Sequence, residues 1–145
     1  MRPTPDELIT HVRRVLRDVV EPELTSSYAR SRLAEIRAAL AQIPWNEAGL
    51  RLADASDTLR DLLLKCRTWI ESDEARKKHF ADSLPAFAGL PEAVPEDFAA
   101  CNEIRARYDE LVIELIGPLE DWLLTGKDDG TGAELRRELL SAVVS

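Results

Sequence analysis

The sequence predicts an all-α fold, an antiparallel helical bundle of four main helices plus a short C-terminal helix, in one domain spanning 1–145. Three observations predict it. Phe98, Cys101, Ile104, Tyr108, Leu111, Leu115, Leu119 and Trp122 follow each other at steps of three and four. Val112, Ile116 and Leu123 widen that row to an arc of roughly 140° at about 100° per residue, broader than a coiled-coil seam and suited to a central helix with several neighbours. Pro22, Pro44 and the Pro85–Pro95 segment fall between such periodic stretches, where they end helices.

The first helix opens with Thr4, Pro5, Asp6 and Glu7. Thr4 suits the cap, Pro5 the first helical position, and Glu7 completes a capping box. Leu8, Ile9, Val12, Val15, Leu16, Val19 and Val20 then share a face, with Arg13, Arg14 and Arg17 off it. Pro22 ends or kinks this helix. The second starts at Thr25, Ser26 or Ser27, all competent caps. Leu33, Ile36, Leu40 and Ile43 mark its buried side, Pro44 closes it, and Trp45 covers the corner. The third runs from about Glu47 to Glu71, with Leu52, Ala55, Leu59, Leu62, Leu63, Cys66, Trp69 and Ile70 on one face. Residues 73–82 continue it or form a separate short helix.

Residues 83–95 contain Pro85, Gly89, Pro91 and Pro95, which exclude a regular helix. Leu84, Phe87, Leu90 and Val94 make the segment apolar, so it reads as a loop packed across the bundle. The fourth helix starts near Pro95, and Pro118 inside it predicts a kink. Thr125 to Gly132 read as a mobile turn, and Thr131 with Glu134 form a second capping box for the last helix.

Composition narrows the function. A chain of 145 residues can bury a self-sufficient core. No apolar run reaches membrane-spanning length, and the N-terminus lacks the apolar stretch of a secretory signal. Two cysteines, Cys66 and Cys101, give no disulfide framework, so the expected setting is cytoplasmic. The net charge of −8 is one-sided: residues 1–60 hold nine basic and nine acidic side chains, and residues 61–145 hold ten and eighteen. An acidic half repels phosphate backbones and anionic membranes, so neither nucleic acid nor membrane is an expected partner.

No catalytic constellation emerges. The only histidines are His11 and His79, and no Glu-x-x-His or His-Glu-x-x-His motif occurs, so no metal or cofactor is expected. Both cysteines fall on apolar helix faces, where thiols are inert. Arg76, Lys77, Lys78 and His79 form the one basic cluster, beside Asp73 and Glu74 and without a glycine-rich cradle. Arg105 lies within the apolar arc, where it snorkels, pairs internally or holds an acidic ligand. Ile113 points away from the arc, towards solvent or a second protein.

The stretch RPTPDELITHVRRVLRDVVEPEL resembles the start of a family of small helical proteins of uncharacterised role, often encoded beside acyl-CoA dehydrogenases and aminoglycoside-phosphotransferase-like kinases. The matching positions are Pro3, Glu7, Leu8, Ile9, Val12, Arg13, Leu16, Val20, Pro22 and Leu24. The resemblance covers about the first 25 residues and implies an accessory role, with no catalytic residues to carry over.

The leading expectation is a non-catalytic accessory or protein-interaction module, with self-association open to it. Ile113, Trp45, Leu90 and Phe87 are the candidate contacts. The alternative is a small-molecule binder with an apolar inter-helix pocket gated by residues 83–95, in which Arg105, His79 and Phe87 meet the ligand.

Overall fold

The computed structural model describes residues 2–91 and 97–144. Among these the regular elements are helical throughout: α1 (Pro5–Val15), α2 (Ser27–Gln42), α3 (Ala48–Glu71), α4 (Glu74–His79), α5 (Leu84–Ala88), α6 (Phe98–Leu124) and α7 (Thr131–Val144). A π-helical turn (Leu16–Val20) and a 3-10 turn (Glu21–Glu23) follow α1. The all-α expectation is met. The chain divides into two compact units, Met1–Leu50 and Arg51–Ser145, a finer division than the single domain expected.

In the first unit, Thr4 caps α1. Its hydroxyl accepts from the Glu7 N–H while the Glu7 carboxylate accepts from the Thr4 N–H at 2.8 Å. Pro22 lacks a backbone N–H, so the regular α ladder cannot run through it. The helix widens into the π turn and then tightens into the 3-10 turn, rather than simply stopping. Ser26 is the α2 cap, accepting from the Ala29 N–H. Arg13 Nε donates to the Arg37 carbonyl, and the Asp6 N–H to Asn46 Oδ1. These pairs run in opposite order along the two helices, so α1 and α2 form an antiparallel hairpin.

The second unit holds the core: Leu59, Leu63, Cys66, Trp69 and Ile70 of α3, Phe80, Phe87 of α5, Tyr108, Leu111, Val112, Leu115, Leu119 and Trp122 of α6, and Leu135 and Leu139 of α7. The long α6 row is therefore its inner spine. Phe98 is the exception, standing exposed. Pro118 lies inside α6, which runs through it unbroken. A separate α4 begins at Asp73, whose carboxylate accepts from the Arg76 N–H.

Two sequence expectations need correction. Within 83–95, Leu84–Ala88 do form a short helix. Pro85 sits in its first turn, where an N–H has no helical partner to lose. Phe87 is buried, and Leu84 and Leu90 pack against the core. Val94 and Pro95 lie outside the described residues, and α6 begins at Phe98 under an Asp97 cap. At α7, Asp128 takes the capping role assigned to Thr131. Its carboxylate accepts from the N–H groups of Gly130, Gly132 and Ala133 at 3.1, 2.9 and 3.2 Å. Gly132 is required there, since a Cβ would stand 2.6 Å from Asp128 Oδ1 and 3.2 Å from the Trp69 ring.

Candidate functional site

The broadest candidate surface is the open side of the α1–α2 hairpin. Leu8, Val12, Val15 and Val19 are spaced four, three and four apart, and all stand exposed, Leu8 at 51% and Val19 at 60%. Ile36 of α2 at 52% and Ile43, in the extended cap just after it, at 40% are exposed too, correcting the expectation that both are buried. The residues turned into the hairpin are others: Ile9 and Arg13 of α1 with Leu16 of the π turn, and Ala29, Leu33, Arg37 and Leu40 of α2. Leu33 is the one buried apolar side chain among the described residues of this unit.

Helix handedness relates the two open rows. On α1 the exposed apolar row precedes the inward row by about a quarter turn on the wheel, and on α2 Ile36 falls on the corresponding flank of its inward row. In an antiparallel pair, equal offsets fall on the same side. The hairpin therefore shows one apolar side, with α1 and α2 both contributing.

Thr10 and Arg14 of α1 and Arg17 of the π turn occupy the opposite offset, and the inward-turned Arg13 and Arg37 border it. Together they line a cleft of about 180 Å³ on the other side. Arg17 pairs with Asp18 through Nε at 2.7 Å and Nη2 at 3.1 Å, and Arg37 with Glu21 at 2.9 Å. The Arg17 guanidinium holds the Asp18 carboxyl below its usual range, helped by Arg14 and Arg37.

The second unit spends its polar groups on structure. Arg105 is 8% exposed. Its Nε donates to Asp109 Oδ1 at 3.0 Å, and its Nη2 to the Ala142 carbonyl at 2.7 Å. Ala142 lies in the last turn of α7, where carbonyls have no helical donor. Arg105 thus ties α6 to the end of α7. His79 Nε2 sits 2.8 Å from the Pro118 carbonyl, and its ring packs edge-on against Phe80 and Trp122. The remaining basic cluster is dispersed: Arg76 lies over the Trp69 ring at 4.8 Å, and Lys77 pairs with Glu74 at 2.8 Å. Burial pushes the Cys66 thiol up to about 12, and Cys101 Sγ rests 3.7 Å from Ser56 Oγ.

Of the residues expected to meet a ligand, Phe87 lines a cleft of about 300 Å³ with Arg60, Leu64, Arg67, Leu90 and Pro91, while Arg105 and His79 do not line it. Of the expected contacts, Ile113 is 69% exposed and Trp45 and Leu90 are half-buried. Trp45 Nε1 donates to the Leu40 carbonyl, which folds the indole back on the end of α2. Among the described residues no group of three His, Cys, Asp or Glu is placed to hold a metal ion, and no helix is long and apolar enough to cross a membrane.

No protein-family model, curated protein or solved structure matches this chain.

Proposed function

We propose that this chain is a non-catalytic interaction module that self-associates through the open apolar side of its α1–α2 hairpin. The carrying observation is the row Leu8, Val12, Val15 and Val19 standing in water beside Ile36 and Ile43. Together these six leave roughly 500 Å² of apolar surface open, at the upper end of what a monomer shows and most of the ~800 Å² each partner contributes to a standard interface. Two copies facing each other would bury both rows in a four-helix core by an isologous contact.

Charge selects the occupant. Residues 1–50 carry seven basic and seven acidic side chains, while residues 51–145 carry twelve and twenty. Two copies therefore meet through the first unit without net repulsion, and through the second only against it. The accessory role implied by the N-terminal resemblance is in keeping with this reading, since the resembling residues build the α1 arm.

Sedimentation equilibrium up to millimolar concentration tests it. The expected result is a reversible dimer, weakened about tenfold or more, or about 1.4 kcal/mol, by Val12→Glu with Val15→Glu at unchanged helical content. A wild-type monomer throughout, or a dimer indifferent to both substitutions, overturns it.

A second reading rests on the cleft beside Phe87. It is lined by apolar Leu64, Phe87 and Leu90 beside Arg60 and Arg67, a mix that suits a small apolar carboxylate able to compete with Glu71 for Arg67. Thermal stabilisation by medium-chain carboxylates, lost in Phe87→Ala, supports this reading. No stabilisation removes it.

A further inference from the structure

The arginine cleft lies on the side of the hairpin away from the apolar rows, and self-association leaves it unused. Arg13, Arg14, Arg17 and Arg37 line it together with Thr10. Two carboxylates answer them: Asp18 takes Arg17, and Glu21 takes Arg37. Arg13 gives its Nε to a backbone carbonyl, and among the described residues neither Arg13 nor Arg14 makes an ion pair. Arg37 Nε is buried with no acceptor among the described residues. The cleft thus sets four arginines against two carboxylates, an excess of two positive charges in a protein of net charge −8.

We propose that this cleft binds a phosphate dianion, free or as a monoester. A carboxylate has two oxygens and is satisfied by a single guanidinium fork, whereas a phosphate presents three or more oxygens to several donors at once. The excess of two positive charges matches its two negative ones. The volume of about 180 Å³ falls below the ~300–1,000 Å³ of pockets that enclose drug-sized ligands, so one compact oxyanion fits and a whole nucleotide does not. Arg17 and Asp18 stand in the π turn, and such turns recur at functional sites. Arg17 follows Arg14 by three residues and Arg13 by four, which places them as helical neighbours, while Glu21 reaches Arg37.

The test is titration with inorganic phosphate and with phenyl phosphate at constant ionic strength, followed by the side-chain Nε–Hε signals of the arginines. The expected result is saturable one-to-one binding that shifts the signals of Arg13, Arg14, Arg17 and Arg37. Arg14→Gln weakens it about tenfold or more, Arg14→Lys restores part, and Arg32→Gln, outside the cleft, leaves it unchanged. Equal affinity for both probes supports a free-phosphate site, and tighter binding of the ester supports a phosphorylated partner molecule. Absence of saturation, shifts confined to residues 51–145, or indifference to Arg14→Gln in a protein of unchanged circular dichroism overturns the proposal. Because Arg14 lies off the apolar rows, its variants leave the dimerisation test untouched.

Discussion

The two units of this chain spend similar amphipathic helices in opposite ways. Residues 51–145 gather leucines and aromatic rings from α3, α5, α6 and α7 around one spine, and their polar side chains close helix ends or pair internally. Residues 1–50 have just as regular a pattern, yet bury Leu33 alone among their described apolar side chains. The difference teaches that periodicity specifies a helix and its sided character, while burial depends on how many layers surround it. Two helices make one seam, and each keeps a second apolar flank in contact with water.

The sharpest way to break the comparison is to remove equal side chains from each unit. Leu115→Ala, at a fully buried position, is expected to cost about 2–5 kcal/mol in chemical denaturation. Leu8→Ala, at an exposed one, is expected to stay within about 0.5 kcal/mol in the monomer and to weaken only the dimer. Equal losses in dilute protein would erase the distinction.

A smaller effect is expected at Arg105. Arg105→Met keeps the apolar stem and removes the donors to Asp109 and Ala142, at a cost of about 2 kcal/mol. Hydrogen exchange at the end of α7 should rise with it, while α1 and α2 stay unchanged.

The smallest effect is set by acid, and each unit has its own reporter. Asp129 is held below the usual carboxyl range by the Thr131 backbone N–H, and Asp18 by Arg17. A carboxyl depressed by folding adds stability above its ordinary value, and that stability fades as pH falls through the lower folded value. Stability should therefore decline in the range below about 3.8. Asp129→Asn should flatten the decline at the turn before α7, and Asp18→Asn at the π turn. Side-chain carboxyl titration by NMR measures both.

Much of the second unit was legible in the sequence. The α6 row and the α3 face follow from spacing, whereas residues 73–82 stayed open between a continued third helix and the separate α4 that forms. The Thr4 box was legible because both partners lie within one turn. Asp128 was missed in favour of Thr131 because a carboxylate reaching three N–H groups needs a loop geometry that residue types alone do not encode. Arg105 posed three alternatives because its answer, the Ala142 carbonyl, lies 37 residues away. The open hairpin side was missed for a different reason: Ile36 and Ile43 follow the same spacing as truly buried residues. The arginine cleft had a visible half, Arg13, Arg14 and Arg17 on one face, but its other wall came from Arg37 through helix pairing.

The three tryptophans give this division an optical consequence. Trp69 and Trp122 meet edge-on at 6.3 Å in the aromatic cluster, whereas Trp45 sits half-exposed at the corner after α2. The first pair emits from an apolar surrounding and exchanges excitation internally. The lone indole emits at longer wavelength and responds to whatever settles nearby. Light alone can therefore follow one half of the chain while the other stands still.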